Sequence, residues 1–412
     1  MWPGAALACL LAALIAASCG TASIPTPTVG SPSPRPTATA AVPSASISPA
    51  DTIGPSATPQ PSPTCAVKTL AEMTEAQRVG QLFLLGIEGD RLAPVETAAI
   101  ETYHLGSVWL VNLRTGGVNG VRPLTASIQA LATAATTDGV GFFVGADQEG
   151  GQIQHLTGPG FSTIPTALAQ GQLAPATLQA DATQWGRELA AAGVNLDFAP
   201  VMDVVPPGGD AANQPIGVLQ REYGHDPATV GSHGTAVVAG MAQAGIPTTL
   251  KHFPGLGRVV GNTDTVAAVV DTTTTADDPY LAAFRTGIEA GAPFVMVSLA
   301  TYTAIDPEHL AAFSPTIIGT LLRGKLGFDG VVMSDDLGHT ASVASIAAGD
   351  RATAFIDAGG DFMIVRGVAP ASQMAAAVLA RADSDSSFAA KVDAAALSVL
   401  QSKAAYGLLA CS

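Results

Sequence analysis

The chain reads as an α/β protein whose main domain is a (β/α)8 TIM barrel, preceded by a long segment without folding signals. Three observations predict this. From Cys65 onward, short and nearly continuous apolar runs recur, each followed by a polar turn and an Ala-rich helical stretch, the pattern of parallel strands covered on both faces. Eight such units fit within residues 65–412, a usual span for this barrel with some long loops. The charged residues cluster just past the apolar runs, and no Gly-x-Gly-x-x-Gly follows the first run, which disfavours a doubly wound open sheet.

The strands are expected at Leu82–Ile87, Ser107–Val111, Gly141–Gly145, Asn195–Ala199, Thr248–His252, Phe294–Ser298, Gly330–Ser334 and Asp361–Val365. Helical stretches between them include Leu124–Thr136, Pro175–Ala192, Pro227–Ala244, Asp278–Ala290, Pro315–Leu326 and Pro370–Ala382. Several start at proline, whose fixed φ suits the first helical turn.

The N-terminal region differs in texture. Ala5 to Ala17 is apolar but short for a bilayer span and is followed by small residues, as in a secretory signal. It ends Ala16-Ala17-Ser18-Cys19, similar to a bacterial lipobox with Cys19 as the lipidated residue. Residues 20–64 are almost entirely Pro, Ser, Thr, Ala and Gly, too poor in apolar groups to offset ordering entropy. They read as a flexible tether. Cys65 and Cys411 lie near opposite ends of the domain, and export would permit a disulfide between them. Closing so long a loop is worth up to about 4–5 kcal/mol in the chain-entropy model.

Hydrophobic residues make up 48% of the chain and charged residues 12%, with a net charge of −15. That is ample material for a core, and the acidic balance without any basic stripe excludes a nucleic-acid partner. Neither Cys65 nor Cys411 has a neighbouring Cys or His at zinc-ligand spacing, so no metal is expected there.

Four motifs carry the chemistry. Asp147-Gln148-Glu149-Gly150-Gly151 follows the third strand and puts carboxylates beside a tight turn. Asn195–Val204 contains Asp197 in mid-strand, where an unpaired carboxylate is expensive; Arg221 or Lys251 is the expected partner. Arg221 itself could fork onto a ligand or pair with Asp203 or Asp226. Lys251-His252-Phe253-Pro254-Gly255-Leu256-Gly257 opens a polar loop through Asn262-Thr263-Asp264, and Met333-Ser334-Asp335-Asp336-Leu337 ends the seventh strand. Successive strand residues alternate in direction, so one of Lys251 and His252 is expected to face a ligand unless the loop redirects the other. Two carboxylate-bearing turns after buried strands suit a retaining glycosidase, which needs a nucleophile and an acid.

In this order, the four motifs resemble glycoside hydrolase family 3, and specifically its single-barrel β-N-acetylglucosaminidases of the actinobacterial lipoprotein type. The likeness spans essentially Leu70 to Leu409. It implies an exo-acting retaining enzyme that removes non-reducing N-acetylglucosamine from peptidoglycan fragments. It further implies a monomer without metal or organic cofactor, exported to the membrane or cell wall and held there only by its lipid. Asp335 matches the family's nucleophile, and Asp147, Arg221, Lys251 and His252 match its sugar contacts. The family's loop reads Lys-His-Phe-Pro-Gly-His-Gly and ends in an Asp-Ser-His acid/base dyad. Here Leu256 replaces the second His, and Asn262-Thr263-Asp264 replaces the dyad. Asp264 is therefore assigned as the acid/base, and its charge would repel phosphate, favouring hydrolysis over phosphorolysis. Asp336 should point away from the nucleophile and support the turn. A β-glucosidase of the same family and a non-catalytic sugar-binding lipoprotein remain the alternatives.

Overall fold

The computed structural model describes residues 63–410. The chain divides into two units, Met1–Ser56 and Ala57–Ser412, and the described residues belong to the second. The signal-like segment, Cys19, almost all of the tether and Cys411 lie outside the described residues.

The expected strands are present: β1 (Phe83–Ile87), β2 (Ser107–Leu110), β3 (Phe143–Ala146), β4 (Leu196–Asp197), β5 (Thr249–Phe253), β6 (Phe294–Val297), β7 (Val331–Ser334) and β8 (Met363–Val365). All pair in parallel. One sheet has the order β8-β1-β2-β3-β4, with Leu84 opposite both Ile364 and Ser107; the other has the order β5-β6-β7, with Val295 opposite both Leu250 and Val332. The fold is thus α/β with parallel sheets. The closed barrel expected from the sequence is seen only in part, because these ladders form two sheets rather than one continuous ring.

The two seams have physical causes. After β4, Ala199 is followed by Pro200, which has no N–H for a ladder. Only isolated parallel bridges then reach the second sheet, Asp197 to Thr248 and Val201 to Lys251, with Thr249 N–H donating to the Ala199 carbonyl at 2.9 Å. Between β7 and β8, the Asp361 carboxylate takes the Val332 N–H at 2.8 Å, and one bridge joins Met333 to Phe362. A side chain thus does there what a neighbouring carbonyl does elsewhere.

Alternation along the strands splits the core in two. Phe83, Leu85, Val108, Leu110, Val144, Leu250, Val295, Val332 and Met363 belong to the large cluster that also holds the helix residues Leu178, Leu189 and Val237. Leu84, Trp109, Phe143, Leu196, Phe294, Met296, Met333 and Ile364 form a second cluster, to which both sheets contribute. There Phe143 meets Phe294 edge-on at 5.5 Å, a favoured aromatic geometry.

The helix predicted at Pro175–Ala192 has those bounds, and Pro227–Gln243 ends one residue early. Its Asp226 cap accepts hydrogen bonds from the N–H groups of Ala228 and Thr229. The helix expected to begin at Leu124 instead runs from Gly117 to Gln129, with Pro123 inside it. The 316–325 segment is a π-helix. The helices expected at Asp278–Ala290 and Pro370–Ala382 run Leu281–Glu289 and Val368–Ser384, and further helices lie at Pro63–Glu72, Glu75–Gln81, Pro94–Tyr103, Ala348–Asp357 and Ser386–Ala405. Cys65 is disulfide-bonded, and it packs with Ala66, Met73, Leu400 and Leu409 where the first and last helices meet.

The Asp361 splice gives a stability test. Its carboxylate also accepts from Arg323 at 2.6 Å. Asp361→Ala leaves the buried Val332 N–H unpaired and takes one acceptor from the Arg323 guanidinium, which keeps the carbonyls of Phe328 and Gly330, and this costs about 1–3 kcal/mol. Urea unfolding should show a lower midpoint with little change in slope; an unchanged midpoint contradicts the splice.

Candidate active site

The carboxyl ends of the strands converge on a cleft of about 350 Å³, within the range of small-molecule sites. Its lining includes Asp147, Arg221, Lys251, His252, Asp264 and Asp335. All six residues singled out from the sequence for catalysis and sugar contact are therefore brought together.

Beneath them lies a buried charge network. The Lys251 ammonium donates to Asp147 Oδ1 at 2.6 Å and lies 2.7 Å from Glu149 Oε1. Arg221 forks onto Glu149, Nε to Oε2 at 2.8 Å and Nη2 to Oε1 at 2.7 Å, and donates to the Pro215 carbonyl at 2.8 Å. Burial alone would raise the Glu149 carboxyl, but the adjacent Arg221 and Lys251 charges hold it well below the usual carboxylate range. Burial likewise works against the Lys251 ammonium, and Asp147 and Glu149 more than offset it. One N–H of Arg221 and one of Lys251 remain uncommitted.

His252 is set by a different carboxylate. Its Nδ1 lies 2.7 Å from Asp203 Oδ2, an arrangement that fits Nδ1–H donating and leaves Nε2 as acceptor for Arg221 Nη2 at 3.3 Å. Asp203 is fully buried and also accepts the backbone N–H groups of His252 and Leu256. Both Lys251 and His252 line the cleft, because the register of β5 shifts between Leu250 and Phe253 and simple alternation fails there.

Asp335 stands immediately after β7. One of its oxygens accepts the Asp336 N–H at 2.8 Å. Burial pushes its carboxyl up to about 6; the nearby His252 opposes that rise and the Asp264 charge adds to it. Asp336 turns to the backbone, accepting from Gly338 at 2.7 Å, His339 at 3.2 Å and Arg366 at 2.7 Å. Asp264 sits on the exposed rim, and its carboxylate accepts no hydrogen bond among the described residues. Its backbone is pinned: Asn262 Oδ1 takes the Asp264 N–H, while the carbonyls of Thr263 and Asp264 take the N–H groups of Ser342 and Ala341.

Two expected pairings come out differently. Arg221 contacts Glu149 rather than Asp203 or Asp226. Asp226 is engaged as a helix cap and Asp203 by His252. Asp197 hydrogen-bonds neither Arg221 nor Lys251; it accepts the Gln148 N–H at 3.2 Å, and burial lifts its carboxyl to about 7. Ser298 and Tyr302 bond to each other, and the Tyr302 hydroxyl donates to the Gly255 carbonyl. The sequence reading gave no role to Trp109, Phe198 or Arg366, all on the wall. The Trp109 indole N–H has no partner among the described residues. A lone Trp inside an apolar strand carries no signal beyond core packing.

Asp210, Glu222 and His225 form the one group of metal-ligand type among the described residues, and none of them lines the cleft.

Neutralising Glu149 tests the network. Glu149→Gln strands two nearly buried cations beside a single remaining carboxylate, and breaking such a pair costs about 3–5 kcal/mol. A substantial fall in thermal midpoint is expected by calorimetry, whereas a midpoint within a degree or two of wild type would show the network to be inessential.

Residues 74–401 match the model of the glycosyl hydrolase family 3 N terminal domain. The chain is 34% identical over 295 residues to the β-hexosaminidase of Stenotrophomonas maltophilia, covering 69% of this chain and 83% of that relative. Among solved structures it is similar to the β-N-acetylhexosaminidase of Beutenbergia cavernae, with 52% identity, a TM-score of 0.79 and coverage of 80% of this chain and 98% of that one. A family 3 β-N-acetylglucosaminidase from a Paenibacillus species gives 30% identity and a TM-score of 0.73, covering 82% of this chain and 64% of that one. With its charged cleft at the strand ends, the chain is a glycoside hydrolase and belongs to glycosyl hydrolase family 3.

Proposed function

We propose that this glycoside hydrolase is a retaining exo-β-N-acetylglucosaminidase in which Asp335 is the nucleophile and Asp264 the acid/base. The observation that carries this reading is the convergence of the two carboxylates on one cleft, Asp335 at a strand end and Asp264 on the rim. The names and extent of the relatives support the sugar. The two bridged seams and the shared inner cluster support a single (β/α)8 barrel as the frame.

In this reading Asp147, one of whose oxygens is held by Lys251, accepts a sugar hydroxyl, and the spare donors of Arg221 and Lys251 complete the subsite. The Asp335 carboxylate attacks C1 as the C1–O bond breaks, and Asp264 gives its proton to the departing oxygen. Water, deprotonated by Asp264, then attacks C1 and releases Asp335. The exposed carboxyl of Asp264 has no protein partner to displace before it meets the aglycone oxygen. The tether and Cys19 would hold the enzyme at a membrane or cell wall, where glycan fragments with terminal N-acetylglucosamine are the substrate, and Cys65 would pair with Cys411.

Incubation with a slow fluorinated N-acetylglucosaminide should add one sugar to the wild-type mass and none to Asp335→Asn; an adduct on another residue would overturn the assignment. Asp264→Asn should lose about 10²–10⁴-fold on an unactivated disaccharide and far less on a dinitrophenyl glycoside. Equal losses on both substrates would remove Asp264 from the acid role.

The pH profile gives a third test. The Asp335 carboxyl is raised, so the reactive anion is present above about pH 6 and is lost as pH falls through that value. In that acid limb kcat/KM should fall tenfold per unit. Because the Asp264 charge is one cause of the rise, Asp264→Asn should move the limb to lower pH when measured with the activated substrate.

A further inference from the structure

The loop from β4 to the Pro227–Gln243 helix carries a second cluster, away from the cleft. Potential ligand atoms of Asp210, Glu222 and His225 all lie within 4.8 Å of one another. Glu222 is 0% exposed, yet among the described residues neither of its carboxylate oxygens has a hydrogen-bond partner, and Asp210 Oδ1 also lacks one. The His225 ring offers little relief: its Nδ1 is 3.5 Å from Asp210 Oδ1 and 3.3 Å from the Val205 carbonyl. Acceptors therefore outnumber donors around a buried carboxylate, an arrangement native proteins almost never leave uncompensated. Without a cation, Glu222 and Asp210 can approach each other only by sharing a proton.

We infer that Asp210, Glu222 and His225 form a site for one divalent cation of the Zn²⁺ or Mn²⁺ class. Two carboxylates balance its charge, and a mixed imidazole–carboxylate set suits these borderline ions. Ca²⁺ would need six or more oxygens. Asp210 and His225 are partly exposed, giving an entry path, while Glu222 forms the closed end.

The site's place in the chain gives it a structural role. Between its first two ligands, Asn213 donates to the carbonyls of Leu256 and Val259, each at 2.7 Å, and Gln214 N–H donates to the Val260 carbonyl. Gly257 lies so close to Val204 that a Cβ there would meet its carbonyl at 2.0 Å. Next to Glu222 in the chain, Arg221 grips Glu149. A cation joining Asp210 to Glu222 and His225 would clamp the loop on which both Arg221 and the 254–264 segment rest.

Untagged, chelator-stripped protein would be titrated with ZnCl₂ and with MnCl₂ by calorimetry, alongside thermal unfolding. Wild type should take up about one equivalent of at least one of them and unfold at higher temperature in its presence. Glu222→Gln should bind at least tenfold more weakly, and Asp335→Asn as tightly as wild type. Should Glu222→Gln not fold, His225→Gln removes an outer ligand without disturbing the buried end, and the same loss is expected. No uptake by wild type overturns the site, as does equal affinity in the folded ligand variant or loss of binding in Asp335→Asn. Shared-proton pairing alone would show itself as no uptake together with a Glu222→Gln variant as stable as wild type.

Discussion

The site depends on the fact that Glu149 is a buried anion touched by two cations from distant parts of the chain. Arg221 arrives from the loop after β4 and Lys251 from β5, and both end on the same carboxylate. Buried ion pairs are weak stabilisers when compared with apolar packing, yet losing one partner is costly. The network therefore adds little to the fold's net stability, while any arrangement that separates its members is heavily penalised. It fixes Asp147 through Lys251 and His252 through Arg221, so the polar wall of the cleft has one geometry.

His252 adds a second constraint, independent of the first. Asp203 holds the ring by Nδ1 and the backbone of the same residue by its other oxygen, then reaches Leu256. One carboxylate thereby orients an imidazole and begins the loop that carries Asp264. His252 also opposes the burial that raises Asp335. A nucleophile needs an anion that is neither fully solvated nor fully paired, and Asp335, proposed for that role, has a single backbone donor on its carboxylate among the described residues.

The strands were legible because each is an apolar run long enough to stand out against its polar turn, and the six cleft residues because charge concentrates just past those runs. The pairings were not legible. Glu149 lies 72 residues from Arg221, and nothing local distinguishes it from Asp203 or Asp226 as a partner. Asp226 reads as a charge but is spent on a helix cap. The same limit hid the sheet seams: Asp361 takes a ladder position through its side chain, and pattern reading treats carboxylates as interruptions. The shared direction of Lys251 and His252 escaped because period-2 alternation presumes a regular register, which β5 lacks at that point. Trp109 was hidden by the opposite problem, since an aromatic on a strand looks the same whether it packs in a core or faces a sugar.

The contrast between Asp335 and Asp264 follows from what each is proposed to do. A nucleophile must stay at one distance from C1, and Asp335 sits directly on a strand end whose neighbours are buried. An acid that serves a variable aglycone has to be reachable from outside, and Asp264 is exposed with an uncommitted carboxylate. Exposure alone would scatter it, so position must come from the main chain. The Asn262 side chain and the 341–342 turn supply that, holding Thr263 and Asp264 by backbone groups. Because the 341–342 turn follows the strand that carries Asp335, the proposed acid and the proposed nucleophile share one anchor, and movement of that segment carries both. In the proposed mechanism a single carboxyl on a pinned loop thus takes the place of a two-residue dyad, aimed by the main chain rather than by a second side chain.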